Sequence, residues 1–97
     1  MAVQHIAFVE WKADADPAVI DAFLAAVRAF PEKIDGVEKV ELGRTFTERA
    51  GNFTHAAIVT MRDKDVLAAY GPHPVHQAAV AIAEPALANM LIADIEV

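Results

Sequence analysis

The stretch Tyr70-Gly71-Pro72-His73-Pro74-Val75-His76-Gln77 imposes the sharpest local constraint on this chain. Glycine readily adopts the backbone of a helix end. Proline fits a first turn, where its missing N–H goes unused. The stretch therefore stops one helix near Tyr70 and starts another near Pro74. It leaves the tyrosine and the second histidine on either side of a rigid corner, inside an otherwise apolar, alanine-rich sequence.

The rest of the chain reads as elements of plain periodicity. Val3 to Trp11 is rich in β-branched and aromatic residues and predicts a first strand. Val3, His5, Ala7, Val9 and Trp11 share one face; Ile6 and Phe8 centre the other. Both faces are apolar at the middle, so both need cover. Asp16 and Pro17 then open a helix. Ile20, Phe23, Leu24 and Val27 form its apolar stripe. Pro31 ends or kinks it near Phe30, and Asp35-Gly36 makes a turn.

Val37 to Gly43 alternates Val40 and Leu42 with Lys39 and Glu41, the pattern of a half-exposed edge strand. A polar connection, Arg44 to Asn52, leads to a third strand over Phe53–Met61. Asp63 caps a short helix that Gly71 stops. The helix from Pro74 runs past Ile82 to the break at Glu84-Pro85, and Met90 to Val97 is a fourth strand. The order of strand, helix, strand, strand, helix pair, strand predicts an α+β, ferredoxin-like antiparallel sheet in one domain over residues 1–97. Its strand order is fourth, first, third, second.

All helices then lie on one face. The other, carrying Ile6, Phe8, Ala56 and Ile58, is bare in a lone chain, as an interface is. A hydrophobic fraction of 56% exceeds what one small core needs and supports the same reading. A twofold homodimer whose sheets close into a barrel is expected.

Composition also excludes. A net charge of −6 without a basic cluster argues against nucleic acid and anionic membrane. Without cysteine there is no disulfide, thiolate nucleophile or zinc-thiolate site. The first residues do not read as a signal peptide and no apolar run reaches membrane-spanning length, so a cytoplasmic protein is expected. No cofactor or metal is expected; His5 and His55 lie at opposite ends of antiparallel strands, roughly 20 Å apart over six residues, too far to share a metal.

His5, the Phe53-Thr54-His55 run and the His-Pro-x-His core of Tyr70 to His76 together resemble the stress-responsive α/β-barrel (Dabb) family over essentially the whole chain. The resemblance implies a dimeric α+β barrel. It also implies chemistry, because the family includes a plant polyketide cyclase, olivetolic acid cyclase. The working tyrosine and histidine of that enzyme correspond to Tyr70 and His76, the histidine's supporting aspartate to Asp94, and a strand histidine to His5. A pocket tyrosine corresponds to Val27.

These residue types suit one chemistry. His76, in the first turn of a helix, is biased towards the neutral imidazole that a general base requires. Asp94, alone in an apolar strand, is expected to hold one ring nitrogen of His76. Tyr70 offers a phenol to a carbonyl oxygen gaining negative charge, and His5 assists. Ala7, Val9, Phe23, Val27, Val59 and Leu91 are expected to line a substrate pocket. Small residues at Ala7, Ala57, Ala79 and Ala83 leave room for it. His73 caps the helix after it. Trp11 is core, interface or a stacking platform.

The leading expectation is a homodimer that binds or converts a small apolar carbonyl compound, by polyketide-cyclase-like proton abstraction at His76 where it is an enzyme. Two rivals stand beside it: a stress-response structural or ligand-holding protein without turnover, and a cofactor-free oxygenase on the analogy of other dimeric α+β barrels.

Overall fold

A computed structural model describes all 97 residues. The elements are β1 (Val3–Trp11), α1 (Pro17–Arg28), α2 (Phe30–Lys33), β2 (Val37–Arg44), β3 (His55–Met61), α3 (Lys64–Tyr70), α4 (Pro74–Ala83) and β4 (Leu87–Glu96). The sheet has the order β2-β3-β1-β4, every pair antiparallel. This is the expected ferredoxin-like arrangement.

Local chemistry sets the helix ends. The Asp16 carboxylate accepts from the Ala18 amide at 2.9 Å, and Pro17 occupies the first turn. Asp63 accepts from Val66 N at 3.1 Å. His73 accepts from Val75 N through Nδ1 at 3.1 Å, so it caps α4 as expected. Each such cap satisfies an amide the helix leaves open and contributes about 1 kcal/mol. Between α2 and β2 the chain turns at Gly36 with φ of +86°. A Cβ there would lie 2.3 Å from Val66 Cγ2, so only glycine lets α3 approach the turn.

Register places the site. His5 lies between Val59 and Asp94, Ala7 between Ala57 and Ile92, and Val9 between His55 and Met90. These residues face the helices. Phe8, between Ala56 and Leu91, faces away, as does Ile6, between Ile58 and Ala93. The core lies between the sheet and the helices, with Val3, Phe30, Val59 and Met61 fully buried. Burying side chains of this size stabilises by about 1.5–3 kcal/mol each. No helix is long and apolar enough to cross a membrane.

Two boundaries differ from the sequence reading. β3 starts at His55 rather than Phe53, because Phe53 closes the preceding loop. Its amide donates to Ala50 O at 3.1 Å and its carbonyl accepts from the Thr45 hydroxyl at 2.8 Å. β4 starts at Leu87 rather than Met90. A bulge between Glu10 and Trp11 lets Trp11 pair with Leu87, and Lys12 N donates to Ala86 O at 2.8 Å.

Candidate functional site

A cavity of about 330 Å³ lies between the sheet and the helices, and 17 of its 20 lining residues are hydrophobic. Ala7, Val9 and Val59 reach it from the sheet, Phe23 and Val27 from α1. Ala79 and Ala83 on α4, with Ala7 and Ala57 on the sheet, leave the space that larger side chains would fill. Val80 on α4 and Ile92 on β4 line the cavity yet remain exposed, so the mouth opens between them.

Leu91 does not line the cavity. It pairs with Phe8 on the bare face and is 55% exposed. Met90 and Ile92 take that place. The cause is the two-residue period of a strand: Asp94, Ile92 and Met90 share a face, and Leu91 belongs to the other.

The polar groups converge at one end. Tyr70 stands between two histidines, its ring centroid 5.2 Å from that of His5 and 4.2 Å from that of His76. Asp94 does not orient His76. Its Oδ1 lies 2.5 Å from Nδ1 of His5, its direct cross-strand partner. His76 is held instead through Nδ1, 3.0 Å from the Gly71 carbonyl, which also accepts from Gln77 Nε2 at 3.1 Å. A carboxylate and a carbonyl can only accept, so both rings carry their hydrogen on Nδ1. Both therefore keep a lone pair on Nε2.

Tyr70 is buried, and no hydrogen bond within the chain engages its hydroxyl. Burial, and then the negative charge of Asp94, raise its pKa above the ordinary phenol value. Tyr70 is therefore a neutral donor at any physiological pH. No three His, Cys, Asp or Glu side chains come together as a metal site.

Residues 3–97 match the family model of the Stress Responsive A/B Barrel Domain, Dabb. The chain belongs to the Dabb family. The solved structures similar to this Dabb chain include a dimeric ferredoxin-like protein of unknown function from Thermobifida fusca YX. It is 28% identical, with a TM-score of 0.85 over 100% of this chain and 92% of the other. A second, from Bacteroides fragilis NCTC 9343 and also described as dimeric, is 25% identical, with a TM-score of 0.85 over 99% and 96%. Hydroxynitrile lyase from Passiflora edulis shares the fold at 19% identity, with a TM-score of 0.86 over 97% and 91%. No curated protein matches the chain by sequence.

A second polar group of this Dabb domain sits around His55. Trp11 Nε1 donates to His55 Nδ1 at 3.2 Å, and the Thr54 hydroxyl lies 3.0 Å from the same nitrogen. Trp11 also packs edge-on against Phe23, centroids 5.6 Å apart. It is a core side chain here, not an open platform. His55 lies four positions along β3 from Val59, the partner of His5, which is about 13 Å at the strand rise. The six-position spacing expected from sequence fails on the register: Val9 pairs with His55, so the two histidines stand four positions apart. The β1–β4 register pairs Val3 with Glu96 and so brings His5 against Asp94.

Proposed function

We propose that this Dabb domain binds a small, apolar carbonyl compound in the cavity and moves a proton on or beside its carbonyl carbon. One observation carries the reading: the proton-handling groups of an otherwise apolar cavity, His5, Tyr70 and His76, stand side by side at one end. Tyr70 donates to the carbonyl oxygen as charge develops there. His5 takes the proton through Nε2, and the Asp94 carboxylate steadies the imidazolium that results. His76, its Nδ1 held on the Gly71 carbonyl, accepts a hydrogen bond from the substrate through Nε2. The name of the Passiflora edulis neighbour makes hydroxynitriles, the cyanide adducts of small carbonyl compounds, one class to test.

The test needs no knowledge of the natural substrate. Phenylacetone in D2O reports α-proton exchange by NMR, and mandelonitrile reports cleavage by release of benzaldehyde. The folded wild type should accelerate at least one. His5→Gln should remove about 100-fold or more of that rate, the scale of general acid–base catalysis. Tyr70→Phe should slow it without abolishing binding. Binding with no acceleration would favour a ligand-holding protein, and an unchanged rate in His5→Gln would sink the assignment of the base.

A second copy covering the bare sheet face completes the proposal. Leu91 and Ile95 are 55% and 44% exposed there, beside half-buried Ile6, Phe8 and Ile58. Two of the similar structures are described as dimeric. Light scattering at micromolar concentration should give twice the chain mass, and Phe8→Asp should halve it. A monomeric wild type overturns this part.

A further inference from the structure

The polar side chains that line the cavity are His5, Tyr70 and His76. Their hydrogen-bonding inventory is short. Tyr70 brings one O–H, and no partner within the chain engages it. The sealed and unpaired side-chain oxygen of this chain belongs to Thr60, so the Tyr70 hydroxyl has open space before it. His5 commits its Nδ1 hydrogen to Asp94, and His76 commits its own to the Gly71 carbonyl. Each ring keeps a lone pair on Nε2. The Gly71 carbonyl adds no further acceptor, because Gln77 occupies it as well. The cavity therefore offers a ligand one donor and two acceptors.

A plain ketone answers this set only in part. Its oxygen accepts from Tyr70 and a C–H beside its carbonyl meets His5, but the lone pair of His76 then faces hydrocarbon. A polar group left unpaired in an apolar surround costs free energy. A hydroxyl on the ligand supplies the missing donor. The spacing says where on the ligand it belongs. Tyr70 and His76 are the closer rings, with centroids 4.2 Å apart against 5.2 Å for Tyr70 and His5. Two oxygens on neighbouring carbons can meet that pair together. His5 rises from β1 and His76 from α4, so they address the ligand from opposite walls of the cavity. The carbon that bears the hydroxyl can then turn its hydrogen to the sheet and its oxygen to the helices. A carboxylate in place of the ketone would set a second negative charge near Asp94, with a single donor to meet it.

We infer that the substrate is an apolar α-hydroxy ketone, and that the site exchanges its carbonyl and hydroxyl between the two neighbouring carbons. The inference rests on the proposed reading of the cavity and names the substrate class for it. His5 Nε2 removes the hydrogen of the hydroxyl-bearing carbon. The C–H electron pair becomes the double bond of an enediolate, and the carbonyl electron pair moves onto the oxygen held by Tyr70. The hydroxyl proton crosses to that oxygen by way of Nε2 of His76. The oxygen it leaves becomes the new carbonyl as the His5 imidazolium returns its proton to the former carbonyl carbon. One carbon is oxidised and its neighbour reduced, so no outside reagent is consumed.

The test compares racemic phenylacetylcarbinol with its methyl ether and with phenylacetone. In calorimetric titration of the wild type, the hydroxy ketone should bind about tenfold tighter than the ether, the worth of one hydrogen bond. By NMR it should pass into its ketol isomer, α-hydroxypropiophenone, faster than in buffer. His76→Leu should bring the affinity ratio of hydroxy ketone to ether down to about one and stop isomer formation. The wild-type ratio and the isomer decide the matter should that variant not fold. Equal affinities for hydroxy ketone and ether, or no isomer, while phenylacetone still exchanges its α-hydrogens, would overturn the inference and leave the cavity reading standing. A tenfold ratio that survives in His76→Leu would overturn it as well. Failure of all three compounds to bind or react would overturn both.

Discussion

His5 and His55 project from the same face of one sheet, at positions four apart in register, and their surroundings are opposite in sign. His5 donates from Nδ1 to a carboxylate on the neighbouring strand. His55 accepts at Nδ1 from an indole, with arginines nearby. The two rings are therefore opposite tautomers. One keeps a lone pair free for a proton; the other keeps an N–H free for an acceptor. The residue type is shared, so the partners alone set which nitrogen of each ring carries the hydrogen.

The largest expected effect lies at the His5 end. Asp94→Asn leaves an amide of the same shape but removes the charge that stabilises imidazolium. A charge-assisted hydrogen bond is worth about 1.5–3 kcal/mol, so the exchange of a bound ketone should slow by about 10- to 100-fold. Arg44→Gln, beside His55 and outside the cavity lining, should leave the exchange of an uncharged ketone alone. Equal effects of the two substitutions, measured by NMR on phenylacetone, would show that the ends do not divide the work as the two tautomers imply.

Part of this contrast was open to the sequence. Helix ends were legible because their causes are local: Asp16 before Pro17, Asp63, and the Gly71 to Pro74 corner each act on amides within a few residues. Strand order followed from the rules that connect such elements. Tyr70, His76 and His5 were legible as neighbours of one cavity, since a corner and a strand face place them. The partner of Asp94 was not. His5 and Asp94 are 89 residues apart, and their contact depends on where β4 starts relative to β1. Leu91 failed as a cavity residue on parity instead, since a regular strand cannot turn both Leu91 and Asp94 to one face. The Trp11–His55 bond was hidden because it joins residues that are not direct partners: Val9 pairs with His55, and Trp11 pairs with Leu87.

The smallest effect is also the most direct reading of the His55 environment. Its pKa in the folded chain lies below the ordinary 6.5, through burial first and then Arg44 and Arg28. Above pH 6.5 the ring is neutral in both folded and unfolded chains and contributes no pH dependence. As the pH falls below that value the unfolded chain takes up a proton that the folded chain refuses. Stability must then fall until the folded pKa is reached, and level off beneath it. His55→Gln keeps an acceptor for Trp11 and removes the titration. The melting temperature of the wild type should therefore drop more between about pH 7 and pH 5 than that of His55→Gln, by a few degrees on the scale of a domain this size. Carboxylates that begin to titrate near the lower limit are common to both proteins and cancel in the difference. Arg44→Gln should reduce the wild-type drop, because one of the charges opposing imidazolium is gone. Melting curves that run parallel in wild type and His55→Gln would mean that His55 charges as readily folded as unfolded, and the contrast between the two histidines would then rest on hydrogen bonds alone.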